Sequence, residues 1–140
     1  MSRRYERLTL PARIESLSAL REFALAGADR AGLSSAERDK LDLVLEELIV
    51  NIARYAYPPG EGDVELAYAI DGQGTLAIRI TDKGHVFNPL TAPEPDLPEE
   101  LDRRAVGGLG VFLAKRLAGP IRYRRDRGRN TLCFRLLNNG

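Results

Sequence analysis

Residues 41–57 read LDLVLEELIVNIARYAY, an apolar run that carries Glu46, Glu47 and Asn51 in its interior. At about 100° per residue, Leu41, Val44, Leu45, Leu48 and Ile52 share one stripe, the pattern of a helix laid on a core. Glu47 and Asn51 fall together just off the edge of that stripe, one helical turn apart. Leu43 and Val50 restore apolar character beyond them, whereas Glu46 points elsewhere, towards solvent. A carboxylate and an amide in a partly buried strip cost free energy unless something meets them. The pattern alone fits a structural pair satisfied by neighbouring loops as well as a catalytic pair.

Outward from this helix the chain divides into short elements. Ser34 and Glu37 have the spacing of a capping box, which places the helix start there, and Pro58 and Pro59 stop it. Before it, Ile14, Leu17, Leu20, Leu25 and Ala28 recur at helical intervals, predicting a first helix from Ile14 to about Ala31 with Gly32 as its stop. YERLTLPA predicts a short strand ended by Pro11. DVELAYAI and TLAIRITD flank DGQG as a β-hairpin, and IRYRRD and NTLCFRLL form a second hairpin around Arg127 and Gly128. GGLGVFLAKRLAG predicts a third helix opening on glycines and ending at Gly119 and Pro120. Between Pro89 and Pro98 four prolines interrupt the chain, so HVFNPLTAPEPDLPEELDRRAV is a long loop, of the kind that serves as a lid or stays disordered. The order predicts an α+β two-layer sandwich, with helices on one face of a mostly antiparallel mixed sheet.

Length and composition narrow the classes. The 140 residues suit one domain with one core, and 44% apolar with 29% charged residues is ordinary for a globular protein. No apolar run is long enough to cross a bilayer, and MSRRYERLTLP lacks the apolar centre of a secretory signal, so a cytoplasmic protein away from membranes is expected. A net charge of +1 gives no general attraction to nucleic acid. Cys133 has no partner for a disulfide and reads as a small side chain in the apolar TLCFRLL. The arginines of RYRRDRGR, residues 122–129, alternate so as to share a face, either solvated or offered to an acidic partner.

Two further stretches carry chemistry. In ITDKGHVFNP an apolar strand ends in Asp82 and turns at Gly84: the carboxylate can accept from an exocyclic amine while the glycine lets a planar ring approach, although Asp and Gly also simply make turns. His85 reads as a loop residue, since no other His and no nearby Cys completes a metal site. GGLG, residues 107–110, opens a helix whose N–H groups can hold phosphate, or serves as a hinge for the lid; it has neither the Rossmann nor the P-loop spacing.

Taken in order, ELIVN, DKG and GGLG resemble the N, G1 and G2 boxes of the superfamily that includes gyrase, histidine kinases and mismatch-repair ATPases, which share the Bergerat ATP-binding fold. The resemblance spans roughly residues 35 to 137. Within the superfamily the chain looks most like the stand-alone anti-sigma factor serine/threonine kinases, with DKGHVFNP in the manner of their D-x-G-x-x-F-D/N-P and a closing GRNTLCF.

The resemblance implies roles. Glu47 would be the general base for the attacking hydroxyl, and Asn51 the ligand that holds Mg²⁺ against the phosphates of ATP. Asp82 would accept from the adenine amino group, with Gly84 against the ring and Thr131 supporting the contact. Gly107, Gly108, Leu109 and Gly110 would face the phosphates, residues 89–106 would form the ATP lid, and Tyr55 would lie near the nucleotide. The chain departs from the pattern at Val86, where many members have glycine, and at Ile52, where a small residue is usual. The lid arginine is displaced to Arg103 and Arg104, of which Arg104 is the candidate phosphate contact. The implied partners are an anti-anti-sigma protein of the STAS type, as phosphate acceptor, and a sigma factor; a homodimer is consistent with apolar residues on the first helix. The alternative is a module that grips or releases a partner according to bound ATP without transferring phosphate, for which Glu47 would be superfluous.

Overall fold

The computed structural model describes residues 4–58, 61–86, 88 and 120–137. Ser34 opens the long helix α2 (Ser35–Tyr55), its Oγ accepting the Glu37 N–H at 3.2 Å. The reciprocal half of the expected capping box is not made, because the Glu37 carboxylate accepts from Lys40 Nζ at 3.1 Å, a cation one turn along the same helix. The stripe read from the sequence faces inward: Leu41, Val44, Leu45, Leu48 and Ile52 are at most 2% exposed. Each such side chain contributes about 1.5–3 kcal/mol of burial. That sum outweighs the roughly 1–3 kcal/mol cost of one poorly satisfied polar group, so α2 can carry Asn51 at 6% exposure without losing its place.

The first helix starts as a 3-10 turn at Ile14–Ser16 and continues as α1 (Leu17–Ala31). It ends where Gly32 takes φ 75°, a left-handed conformation that satisfies the last carbonyls at little steric cost. Leu20, Ala24, Ala28 and Ala31 are buried, and Leu17, Phe23 and Leu25 pack on the same core. Most of the apolar surface considered for a dimer is therefore used within the chain, although Ile14 stays 48% exposed. Arg21 clasps Asp42 of α2 with two N–H donors, at 2.5 and 2.7 Å, which sets the helices against each other. The charge of Glu46 adds to the hold on the Arg21 guanidinium. Glu46 is thus half-buried beside that pair instead of pointing into solvent, because α1 occupies the side of α2 that the sequence left open.

The sheet has strands β1 (Glu6–Pro11), β2 (Asp63–Ile70), β3 (Leu76–Asp82), β4 (Arg122–Asp126) and β5 (Arg129–Leu136), in the order β1-β2-β3-β5-β4. Every described pairing is antiparallel. Both expected hairpins are present. Asp71 Oδ1 accepts from Gln73 N and Thr75 N in the first turn, and Arg127 and Gly128 take φ 51° and 76° in the second, as a two-residue I′ turn requires. Val64, Leu66, Tyr68, Leu76, Ile78, Ile80, Leu132 and Phe134 join the helical stripes in one core, so the helices lie on one face of the sheet. This is the expected α+β two-layer arrangement.

The pleat splits the arginine-rich strand. On the outer face a transverse row runs Arg7, Ala67, Arg79, Cys133, Arg122, with Arg79 over the Tyr5 ring at 4.2 Å. Tyr123 and Arg125 alternate to the inner side, which the reading of a shared arginine face did not separate. Cys133 is half-buried, and its burial pushes the thiol up against the lowering effect of Arg79, Arg124 and Arg122. A protonated thiol at neutral pH is a poor nucleophile, in keeping with a packing role. Among the described residues, no helix is long and apolar enough to cross a membrane.

Candidate functional site

The strip on α2 places Glu47 and Asn51 one turn apart, and Asn51 Nδ2 donates to the Glu47 carbonyl at 2.6 Å. That bond orients the amide: the nitrogen is used on its own helix, and Oδ1 has no partner among the described residues. An unpartnered carboxamide oxygen at 6% exposure is the hard donor that Mg²⁺ takes, so the residue present fits that ion. No cluster of three or more His, Cys, Asp or Glu able to hold a metal occurs among the described residues.

Glu47 is half-buried, and its carboxylate makes no hydrogen bond or ion pair among the described residues. Burial pushes its pKa above the ordinary glutamate value, Glu46 pushes it further, and Arg54 opposes both. A carboxylate made more basic in this way is better suited to take a proton from a hydroxyl. Tyr55, one turn beyond Asn51, ends the helix with its side chain 42% exposed.

The C-terminus of α2 meets the turn after β3. His85 N donates to the Ala56 carbonyl at 3.0 Å, and the His85 ring contacts the Tyr55 carbonyl through Nε2. Tyr57 Oη accepts from Lys83 N at 2.6 Å and donates to the Asp63 carbonyl at 2.7 Å. Gly84 is buried in this junction: a Cβ there would lie 2.1 Å from the Ala56 carbonyl oxygen. The need for glycine thus comes from the close approach of the α2 backbone, a reason different from the open path for a planar ring read from DKG. Val86, two positions on, is 66% exposed. Ile52, the other departure, is core.

Asp82 is 4% exposed and stands at the end of β3 on the inner face. Its Oδ1 accepts from Gly84 N at 2.9 Å and from Asn130 Nδ2 at 3.0 Å, while Oδ2 has no donor among the described residues. Thr131, which the resemblance implies in support of the adenine contact, is not the residue opposite this carboxylate. Thr131 pairs with Thr81, whereas Asn130 pairs with Asp82, and alternate residues of a strand face opposite sides. Asn130 was overlooked because GRNTLCF does not reveal which strand it will pair with or in what register. Arg125, directly across from Asn130, closes the junction by donating Nη1 to the Gly84 carbonyl at 2.8 Å. Arg104, Gly107, Gly108, Leu109, Gly110, the lid at 89–106 and the third helix lie outside the described residues.

The arrangement so far is a half-buried carboxylate and a buried amide on one helix, together with a buried carboxylate at a strand end, one oxygen of which has no donor among the described residues. Residues 10–136 match the family model of the histidine kinase-like ATPase domain. The chain is 30% identical over 137 residues to the serine-protein kinase RsbW of Listeria monocytogenes, covering 94% of this chain and 86% of that protein. RsbW of Bacillus mycoides is 23% identical over 138 residues with the same coverage. Among solved structures, the RsbU and RsbW domains of a Mycobacterium tuberculosis protein superpose with TM-score 0.64 at 16% identity, covering 94% of this chain. The chain spans 32% of that solved chain. The histidine kinase domain of a blue-light activated kinase from Erythrobacter litoralis gives TM-score 0.56, also at 16% identity, over 92% of this chain and 62% of its own. These two likenesses concern the fold. The family model covering nearly the whole chain, together with the RsbW relatives matched over most of their length, shows that this chain belongs to the histidine kinase-like ATPase family, with the serine-protein kinases named RsbW.

Proposed function

We propose that the chain transfers the γ-phosphate of Mg·ATP to a serine or threonine of an anti-anti-sigma protein of the STAS type, and through that partner regulates a sigma factor in the cytoplasm. The observation that carries this reading is the half-buried Glu47 carboxylate, without a hydrogen bond or ion pair among the described residues, one turn from Asn51 Oδ1. A module that only bound ATP would have use for Asn51 and Asp82 but none for a base with a raised pKa.

In this reading Asp82 Oδ2 accepts from the adenine amine and fixes the base, and the N–H groups of residues 107–110 cradle the phosphates, with Arg104 beside them. Asn51 Oδ1 would hold Mg²⁺, which when bound supplies the charge neutralisation that phosphoryl transfer needs. Glu47 takes the proton of the attacking hydroxyl, its basicity raised by burial and by Glu46. Arg54 opposes that rise. The homodimer belongs to the same reading and is checked by the native mass of the protein in solution.

The test is to incubate the protein with Mg·ATP and a candidate STAS partner and follow the partner's intact mass. A gain of one phosphate supports the kinase. If ATP binds and no STAS partner tested gains mass, the ATP-dependent gripping module replaces it. Asp82→Asn puts an amide donor where an acceptor is needed, and its ATP affinity is expected to fall by a hundredfold or more, roughly the loss caused by mispairing a buried polar group. Unchanged affinity in a direct titration would rule out the adenine contact.

A further inference from the structure

We infer that Tyr123 and Asn130 act as a positioning pair that aims the Asp82 carboxylate, and thereby set the preference of the site for a purine bearing an exocyclic amine. The inference rests on the reading of Asp82 as the adenine acceptor. Neither residue is placed against the nucleotide; both act through Asp82.

An asparagine side chain presents an acceptor on one side and a donor on the other, and a half-turn of the amide exchanges them. Asn130 is 2% exposed, so which side faces the carboxylate has consequences that water cannot soften. Its Nδ2 stands between two acceptors, Asp82 Oδ1 at 3.0 Å and the His85 carbonyl at 2.8 Å. The turned amide would set an oxygen against both. On the other side Oδ1 accepts from the Tyr123 hydroxyl at 2.5 Å. Tyr123 lies on the inner face of β4, packed against the core, and its hydroxyl supplies the donor that makes the observed orientation the stable one.

The consequence reaches Asp82. With Asn130 Nδ2 and Gly84 N both on Oδ1, that oxygen is committed to the protein. Oδ2 is left as the acceptor, with a direction fixed by two bonds to its sister atom. A carboxylate free to rotate would serve an amine less well and would tolerate a ring lacking one. The same Asn130 amide holds the His85 carbonyl, and His85 N is bonded to Ala56 at the end of α2, so the aim of the carboxylate is tied to the helix that carries Glu47.

The experiment compares ATP with purine riboside triphosphate, which lacks the exocyclic amine, by calorimetric titration of wild type, Tyr123→Phe and Asn130→Ala in the presence of Mg²⁺. Wild type is expected to prefer ATP by roughly tenfold to a hundredfold, the range for a hydrogen bond to a charged group. Tyr123→Phe should lose most of that preference while its affinity for purine riboside triphosphate stays within about twofold of wild type, since the aim of Oδ2 matters only to the amine. Asn130→Ala should lose it entirely. If Tyr123→Phe keeps the wild-type preference, or if both ligands weaken in parallel, the pair is not a positioning device and the inference is overturned. Should Asn130→Ala bind neither ligand, Tyr123→Phe decides alone. A wild type that fails to discriminate would sink the Asp82 reading itself, and the inference with it.

Discussion

Glu47→Gln is expected to abolish most phosphate transfer while leaving nucleotide binding nearly intact. Removing a general base costs roughly 10²–10⁴ in rate, and the amide keeps the shape of the side chain without its proton-accepting capacity. Glu47 makes no hydrogen bond or ion pair among the described residues, so the substitution breaks no visible contact. Its effect on stability should even be favourable. Because burial raises the folded-state pKa, the native protein binds that proton more tightly than the unfolded chain does, and stability falls as pH rises from the ordinary glutamate range through the raised value. A neutral glutamine is exempt from that loss. The expected result is therefore a variant that melts no lower than wild type at neutral pH and binds ATP with similar affinity, yet transfers phosphate to its partner at a rate lower by two orders of magnitude or more. Single-turnover transfer followed by intact mass reads the rate, and a rate within about fivefold of wild type would fall outside the general-base range and remove Glu47 from the chemistry.

Gly84→Ala should be the most damaging single methyl in the described part of the molecule. The added Cβ would sit 2.1 Å from the Ala56 carbonyl oxygen and 2.7 Å from its carbonyl carbon. Both are backbone atoms at the end of α2, and they cannot step aside as a flexible side chain would. Overpacking of this kind costs about 3 kcal/mol or more, which for a domain of this size lowers the melting temperature by roughly 10 °C. The loss should not be confined to stability. Gly84 N donates to Asp82 Oδ1, and the Gly84 carbonyl is held by Arg125, so displacing the turn also disturbs the carboxylate. ATP affinity is expected to fall with the melting temperature. A variant that melts within about 2 °C of wild type would mean that the α2 terminus yields far more easily than the packing implies.

The contrast between these two positions bears on what can be read in a chain of this kind. Glu47 was visible because helical periodicity is local: the apolar stripe of α2 fixes the direction of each neighbouring residue within a single element. The hairpins were visible for the same reason, since alternation and turn residues act over a few positions. Asn51 and Asp82 stood out as polar residues where the local pattern calls for apolar ones or for a strand end, and both prove to be buried. Gly84 was visible as a glycine, but its reason was not, because Ala56 approaches it from 28 positions away in sequence, as their numbering shows.

Local chemistry along the sequence was thus enough to determine the two described helices, the hairpins, the layered α+β class and the strip that carries Glu47 and Asn51. Tertiary structure alone decided that Glu46 lies against α1, that Asn130 and not Thr131 meets Asp82, and that Tyr123 and Arg125 turn inward from an arginine-rich strand. Each of these depends on which element packs on which and in what register. A shift of one residue in strand register exchanges the two faces of the sheet, and nothing within a single strand records which partner it will find.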